Sequence, residues 1–314
     1  MGFGNGKLGS CPDMVEKQCI ASLRRGCGRL DGRVRNLVLR FVLLNQIMRP
    51  IHGFRNTSSI FFMQPFIFSH TVRTFETDAR GLMTVSSLLN ILQYGAGKHA
   101  GELGWSVRAL HNSGKTWVLQ RFTVEMNELP ADGDTITLTT YPSGSDKLLA
   151  YRDYKVEDAS GKVLVLATSA WVILDLRARR VTPIPDTVSA ISTRFGPKLK
   201  AKPGTRLTDW QPEADEKAPV FRVRRHDMDL NGHLTNVTYA EWGLEAVPEE
   251  IFSKGQLKEI DIVFKAESFF NDRISSHLRT SAVEGSADIR FQHMLRRESD
   301  QKVTALMETS WQKP

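Results

Sequence analysis

The body of this sequence contains no cysteine and no long apolar run. The three cysteines, Cys11, Cys19 and Cys27, all lie near the N-terminus. Their spacing matches no known metal or redox motif, and an odd number argues against a disulfide framework. No apolar stretch reaches the roughly 18 residues of a membrane-spanning helix. These absences predict a globular chain suited to a reducing compartment.

The sequence also lacks a basic body, although its formal net charge is +7. Residues 1–62 hold 10 of the 42 Lys and Arg residues and 3 of the 35 Asp and Glu residues. The remaining 32 basic and 32 acidic residues cancel. Nucleic-acid and membrane surfaces are bound by clustered positive charge, so we predict neither nucleic acid nor a membrane as a partner.

Residues 1–62 differ from the rest in charge and cysteine content, and three interpretations are open. The segment is an Arg-rich targeting peptide, a disordered tail, or an extension that is not part of the native protein. The first strand-like pattern begins almost immediately after Met63. This proximity favours the last interpretation, with the folded protein beginning at residue 63.

The sequence after this extension repeats itself, which is the first property to test in a long chain. Residues 72–84 (VRTFETDARGLMT) align without a gap with residues 223–235 (VRRHDMDLNGHLT). Two later matches follow in the same order: residues 118–125 with 260–267, aligning Glu125 with Glu267, and residues 162–171 with 302–311. Three matches in order predict two copies of one fold.

Each copy has the pattern of a strand and turn, one helix, and then several strands. Apolar residues recur at helical spacing in both copies, at Leu88, Leu89, Leu92 and Ala96 in the first and at Val237, Ala240, Leu244 and Val247 in the second. Alternating segments predict the strands, and residues 158–162 (DASGK) predict a hairpin turn. One helix on a long antiparallel sheet, made twice, is an α+β architecture.

The prolines divide the chain between the two copies. Six of the 13 prolines fall in residues 182–219, which we interpret as a linker. The predicted domains are therefore residues 63–181 and residues 220–314.

The second copy places a dense set of polar residues directly before its helix. Asp229, Asn231 and His233 alternate in this turn. A strand-to-helix turn offers backbone N–H groups and the positive end of a helix dipole, which stabilise a developing oxyanion. Each residue also has a structural interpretation: a cap for Asp229, a left-handed turn for Asn231 and a core position for His233.

The first copy is an internal control for this turn. Asp78 persists there, but Arg80 stands where the second copy has Asn231, and Leu82 stands where it has His233. The first copy keeps the turn and lacks the histidine. The second copy is therefore the candidate catalytic half.

Strand alternation places Glu267 away from any such site. Ile260, Ile262, Phe264 and Ala266 occupy one face of the predicted strand, so Glu267 falls on the other, polar face. Periodicity alone predicts that its carboxylate faces solvent.

The polar turn and its helix resemble a known family. Residues 229–251 (DLNGHLTNVTYAEWGLEAVPEEI) are similar to the Asp-x-Asn-x-His-x-x-Asn-x-x-Tyr signature and the Glu-x-x-Pro-x-Glu element of plant and bacterial acyl–acyl carrier protein thioesterases. Residues 148–158 and 168–185 resemble the first half of that family. The resemblance covers about residues 64–314. It implies two tandem hot-dog folds, each a long helix packed on an antiparallel sheet.

The resemblance implies hydrolysis of the thioester of acyl–acyl carrier protein, which releases a free fatty acid and ends chain elongation. It implies no metal and no organic cofactor. The family's catalytic network carries over onto Asp229, Asn231, His233 and Glu267. Glu267 would be the general base, Asn231 and His233 would position water and polarise the carbonyl, and Asp229 would orient its neighbours. Plant members have Cys after this Glu, and the Ser268 found here favours direct attack by water.

The resemblance also gives the first copy a role in acyl-chain specificity. Its helix would line the acyl tunnel with Leu88, Leu89, Leu92 and Tyr94, although simple core packing is equally compatible with the pattern. The carrier protein is acidic, so a basic patch should dock it. Candidate docking residues are Arg177, Arg179 and Arg180, together with Lys198, Lys200 and Lys202.

Two other functions remain open on the same fold. One is a hot-dog acyl-CoA thioesterase or hydratase, and the other is a non-catalytic acyl-binding regulator. The expected compartment is the cytoplasm, or a plastid if residues 1–62 are a transit peptide. A homodimer is also left open. Hydrolysis of acyl-carrier and acyl-CoA substrates would separate the three functions.

Overall fold

The computed structural model describes residues 64–192, 195, 206–213, 217–281 and 288–313. The strands are β1 (Phe66–Thr71), β2 (Lys115–Met126), β3 (Thr135–Ser145), β4 (Ala150–Asp158), β5 (Val163–Asp175), β6 (Arg180–Thr182), β7 (Val220–Arg222), β8 (Gln256–Phe264), β9 (Arg273–Ser281), β10 (Asp288–Arg297) and β11 (Val303–Gln312). The helices are α1 (Val85–Glu102), α2 (Val107–His111), α3 (Asp186–Ser192), α4 (Asn236–Leu244) and α5 (Glu249–Lys254). None of these helices is long and apolar enough to cross a membrane.

The described strands form one antiparallel sheet with the same order in both halves of the chain. The first half runs β1-β3-β4-β5-β2 and the second runs β7-β9-β10-β11-β8, while β6 pairs with β5. Strands β2 and β8 pair with each other and join the halves. Helix α1 packs on the first half, α4 packs on the second, and the two helices contact each other. The predicted α+β architecture is confirmed.

The last threonine of the repeated turn caps the N-terminus of each long helix. The hydroxyl of Thr84 accepts a hydrogen bond from the N–H of Ser87, and that of Thr235 accepts one from Thr238. Such a cap satisfies an N–H group that has no acceptor within the helix. The predicted apolar stripes of both helices are buried in one core that both halves share.

The repeat is also visible in side-chain contacts on β5 and β11. In each half a Trp indole donates a hydrogen bond to the side-chain hydroxyl two residues earlier. That hydroxyl also forms a hydrogen bond with the buried Tyr or His side chain of the adjacent strand in the sheet. The two sets are Trp171 on Ser169 with Tyr154, and Trp311 on Thr309 with His293. The match of residues 162–171 with 302–311 is therefore a true structural equivalence.

The middle sequence match is wrong by four residues. Phe122 of β2 lies opposite Ser169 of β5, and Ile260 of β8 lies opposite Thr309 of β11. Because Ser169 and Thr309 are equivalent, Phe122 corresponds to Ile260 and not to Phe264. A short apolar match on a strand can slide along it, and only the pairing of strands fixes its register.

The predicted linker contains an ordered part of the first half. Residues 180–182 form β6 and helix α3 follows. Ile184, between these two elements, and Val188 of α3 are buried with Ile173 in a small second core. The described residues after α3 and before β7 contain neither helix nor strand. The extension at residues 1–62 lies outside the described residues.

Candidate active site

The polar turn before α4 is organised by Asp229. Its Oδ1 accepts hydrogen bonds from the backbone N–H groups of Asn231 (2.8 Å) and His233 (3.1 Å), and its Oδ2 lies 3.3 Å from Nδ2 of Asn231. Gly232 closes the turn with φ 77°, a left-handed conformation that suits glycine. The carboxylate therefore orients the side chain of Asn231 and fixes where His233 leaves the turn.

The N–H groups of this turn are already used, contrary to the expectation that they are free for an oxyanion. Asp229 takes two of them, and the N–H of Leu234 donates to the carbonyl of Ser268 at 2.8 Å. Helix α4 begins at Asn236, and the first N–H groups of a helix have no intrahelical acceptor. Asn236 lines the adjoining cleft, so the candidate oxyanion site is the start of α4.

Glu267 lies beyond β8 and not within it. The N–H groups of Lys265 and Ala266 both donate to the carbonyl of Thr304, at 2.8 and 3.1 Å. This bulge interrupts the alternation of side chains along the strand. As a result, Oε1 of Glu267 lies 3.6 Å from Nδ1 of His233. The periodicity-based prediction of a solvent-facing carboxylate is wrong because the strand ends before the bulge.

Two arginines hold Glu267 from opposite ends. Nη2 of Arg179 donates to Oε2 at 2.6 Å, and Nη1 of Arg297 donates to the main-chain oxygen at 2.9 Å. Hydrogen bonding to Asp300, and further bonding to Asp272, raises the pKa of Arg297, so this anchor stays charged. With Oε2 occupied, Oε1 is the carboxylate oxygen that faces His233.

Ser268 is fully buried beside the site. Its Oγ accepts a hydrogen bond from the hydroxyl of Tyr239 at 2.8 Å. Burial raises the pKa of Tyr239 to about 12, so its hydroxyl stays protonated. Ser268 thus contacts a phenol and not a base, whereas His233 packs edge-on against the exposed ring of Phe269. The contacts of Ser268 are those of a structural residue.

The first half reproduces the backbone of the site without its chemistry. Asp78 accepts from the N–H groups of Arg80 (2.8 Å) and Leu82 (3.3 Å), and Gly81 has φ 74°. A matching bulge follows β2, where two successive N–H groups, those of Asn127 and Glu128, approach the carbonyl of Leu164 at 2.9 and 3.5 Å. The next residue is Leu129, so Leu129 and not Glu125 is the counterpart of Glu267.

The site opens onto a cleft of about 670 Å³ whose walls come from both halves. An apolar cavity of about 390 Å³ adjoins the cleft, and the two share Gln93, Val107, Trp117 and Trp171. Among the described residues, no group of three or more His, Cys, Asp or Glu side chains could hold a metal ion. The arrangement therefore joins an acid–base site to an apolar space.

The residues predicted to line the acyl tunnel do not border either space. Leu88, Leu89 and Leu92 are buried in the core, and Tyr94 is exposed beside Phe68. The residues of α1 that line the cavities are Gln93, Ala96, Gly97 and Ala100. The most apolar stripe of α1 packs on the sheet, so smaller residues at its margin border the space.

The predicted docking arginines separate into two groups. Arg177 and Arg180 are exposed on the β5–β6 hairpin, whereas Arg179, at φ 53°, is paired with Glu267. Arg179 is therefore a site residue that the sequence did not reveal, because 88 residues separate it from Glu267. Arg297 was missed for the same reason. The three candidate lysines at 198, 200 and 202 lie outside the described residues.

Two family models match the two halves of the chain. The acyl-ACP thioesterase N-terminal domain matches residues 64–192, and the acyl-ACP thioesterase C-terminal domain matches residues 211–313. The first range ends with α3, and the second begins shortly before β7. The model boundaries thus follow the two halves of the sheet.

Similar proteins come from plants. The chloroplastic oleoyl-acyl carrier protein thioesterase 1 of Arabidopsis thaliana is 28% identical over 272 residues, covering 77% of this chain and 74% of the relative. The chloroplastic oleoyl-acyl carrier protein thioesterase of Coriandrum sativum is 28% identical over 223 residues, covering 65% of this chain and 60% of the relative. The solved structure of the 12:0-ACP thioesterase from Umbellularia californica shares the fold, with a TM-score of 0.69 at 22% identity over 81% of this chain and 99% of that chain.

Proposed function

Because this chain belongs to the acyl–acyl carrier protein thioesterase family, we propose that it hydrolyses the thioester of acyl–acyl carrier protein and releases a free fatty acid. The observation that carries the proposal is the convergence of Asn231, His233 and Glu267 on one cleft that continues into an apolar cavity. An acyl-binding regulator would need the apolar space but not the carboxylate beside the histidine.

The general base of this reaction is Glu267. Its Oε1 takes a proton from a water molecule that attacks the thioester carbon, and His233, 3.6 Å away, helps to position that water. Glu267 then transfers this proton to the sulfur of the departing thiolate. Base catalysis of this kind typically contributes about 10²–10⁴ in rate.

The carbonyl oxygen binds at the start of α4. The N–H groups of the first helical turn and the amide of Asn231 donate to it as negative charge develops. Asp229 holds the Asn231 amide in place. One such donor is typically worth about 10²–10³ in kcat.

The acyl chain extends from the cleft into the adjoining apolar cavity. Ala96, Gly97 and Ala100 of α1 line that cavity, and their small side chains leave room for a chain. This division gives the first half the specificity role and the second half the chemistry. The shared cleft residues Trp117 and Trp171 stand where the two spaces meet.

The carrier protein docks at the rim of the cleft. Val181 and Phe269 are exposed apolar residues that line the cleft, and exposed Leu230 and Phe270 are next in sequence to residues that line it. Arg177 and Arg180 supply positive charge nearby, and Arg225 lies over the ring of Phe270 at 4.4 Å. An apolar patch with cations fits an acidic partner whose prosthetic arm enters the cleft.

The decisive experiment compares Glu267→Gln with Ser268→Ala on acyl–acyl carrier protein. Glu267→Gln keeps the shape of the side chain and should lower kcat by about 10² or more. Ser268→Ala should leave kcat nearly unchanged, because the water mechanism needs no nucleophile there. Glu125→Gln is the matched control, since Glu125 lies on β2 outside the cleft.

Two outcomes would contradict the proposal. An inactive Ser268→Ala beside an active Glu267→Gln would indicate a covalent serine route. Equal or faster turnover of acyl-CoA than of acyl–acyl carrier protein would favour a coenzyme A thioesterase instead.

A further inference from the structure

The apolar cavity beside the cleft contains a buried positive charge. Arg152 of β4 is 8% exposed and lines this cavity, whose other walls are largely aliphatic and aromatic. A charged group in such surroundings is normally paired with an opposite charge, because removal from water is costly. A buried Arg152 without a carboxylate partner would therefore indicate that a ligand binds beside it.

The described residues provide few hydrogen-bond partners for this guanidinium. Nη1 of Arg152 donates to Nδ1 of His99 at 3.1 Å and approaches Oγ1 of Thr140 at 3.4 Å. Within the described part of the chain, Arg152 makes no ion pair with a carboxylate. A guanidinium has five N–H donors, so several remain for a ligand.

Among the described residues, neither His99 nor Asp153 supplies the missing negative charge. Burial, with a further effect from Arg152, lowers the pKa of His99 to about 4, so His99 is neutral near pH 7. Asp153 follows Arg152 in sequence, but its carboxylate accepts hydrogen bonds from Ser143 and Thr168. Adjacent residues on a strand point to opposite faces. The acid next in sequence is therefore directed away from the cavity.

We propose that this cavity binds acyl chains that carry an oxygen near their methyl end, and that Arg152 donates hydrogen bonds to that oxygen. The inference rests on the proposed function, since it names the substrate class of the same site. A plain hydrocarbon tail would leave the guanidinium donors unsatisfied in an apolar space. A hydroxyl or a carboxylate at the tail would satisfy them, and a carboxylate would also balance the charge.

The test uses three acyl–acyl carrier protein substrates of equal length: dodecanoyl, ω-hydroxydodecanoyl and the corresponding ω-carboxy chain. We expect kcat/KM of the full chain to favour the oxygenated tails by about 10- to 100-fold, the range of a hydrogen bond to a charged group. The ratio between the hydroxy and carboxy chains distinguishes recognition of an oxygen from recognition of a charge.

Arg152→Met should remove this preference, because methionine keeps an unbranched apolar stem and has no hydrogen-bond donors. Arg108→Met is the matched control, since Arg108 lines the same cavity with an exposed side chain and should keep the preference. If Arg152→Met does not fold, Arg152→Lys tests the same point. It should show a preference for oxygenated tails that is weaker than that of the unaltered protein.

Two results would overturn the inference while leaving thioester hydrolysis intact. One is equal or faster turnover of the plain chain by the unaltered protein, and the other is an unchanged preference in the Arg152 variants. Absence of hydrolysis with all three substrates would contradict the proposed function instead. In that case calorimetric binding of the three free fatty acids still measures the preference, and equal affinities would overturn the inference.

Discussion

Glu267 takes its environment from segments that lie far apart in the chain. A bulge after β8 turns it inward, Arg179 arrives from the β5–β6 hairpin, and His233 comes from the turn before α4. None of these contacts is local in sequence. The carboxylate oxygen opposite Arg179 remains directed at His233, so the position of a single oxygen atom depends on three separate loops.

Substitutions at equivalent positions of the two turns should have different effects. His233→Ala should lower kcat by about 10²–10⁴. Leu82→Ala, at the matching position of the first half, should lower the free energy of unfolding by about 1–2 kcal/mol, since Leu82 is only half-buried. Steady-state kinetics and urea denaturation measure the two effects. Equal losses of kcat in two folded variants would contradict the assignment of one catalytic half.

Helix α1 has two faces with different roles. One face packs on the sheet through large apolar residues, and its margin borders the apolar cavity through small ones. Gly95 lies on the packed side, where a methyl group would come within 2.6 Å of the Leu138 side chain. Close approach of the helix to β3 therefore requires glycine at this position.

A Gly→Ala substitution should change the free energy of unfolding in opposite directions at two positions of this helix. Gly95→Ala should destabilise the protein by about 1–3 kcal/mol, because buried Leu138 has little room to move. Gly101→Ala should stabilise it by up to about 1 kcal/mol, since the added methyl group meets no atom within 4 Å and alanine favours helix. Denaturation midpoints measure both. Similar shifts in the same direction would contradict this description of the helix faces.

The two halves form one continuous sheet but differ in the polar residues of their repeated turns. At their junction Arg121 of β2 forms an ion pair with Asp261 of β8, and Thr123 donates to the same carboxylate. The core is shared across this junction. Each half also buries a histidine at its long helix: His99 lies within α1, and Nδ1 of His293 contacts the carbonyl of Gly243 in α4. Protonation of these rings should therefore affect the stability of the whole molecule.

Stability should fall as the pH drops below neutrality. Burial lowers the pKa of His293 from its ordinary value of 6.5 to about 3 and that of His99 to about 4. Because the unfolded chain binds these protons first, the stabilisation is complete above pH 6.5 and is lost as the pH falls toward the folded values. Each histidine adds a slope of up to about 1.4 kcal/mol per pH unit.

Urea denaturation of the full chain between pH 7 and pH 5 measures this slope. His293→Gln should reduce it, and the difference between the two proteins removes the contributions of all other titrating groups. An identical slope in both proteins would show that His293 is not protonated on unfolding.

The sequence by itself determined the repeat and the α+β architecture, and it predicted which half carries the chemistry. Local signals carried this information: the repeated threonine caps, the apolar stripes of two helices, and a polar turn present in one copy and depleted in the other. Local propensity and periodicity depend on residues a few positions apart, so they can be read from a single chain.

Only the tertiary structure decided the register of β2 against β8, the inward turn of Glu267 and the cavity face of α1. Alternation along a strand assumes that the strand continues, but β8 ends at Phe264 and a bulge follows at Lys265 and Ala266. Arg179 reaches Glu267 across 88 residues, and no local pattern encodes such a contact. Pairing between distant strands fixes register and carries side chains from separate loops to one point, which is why these features required the folded molecule.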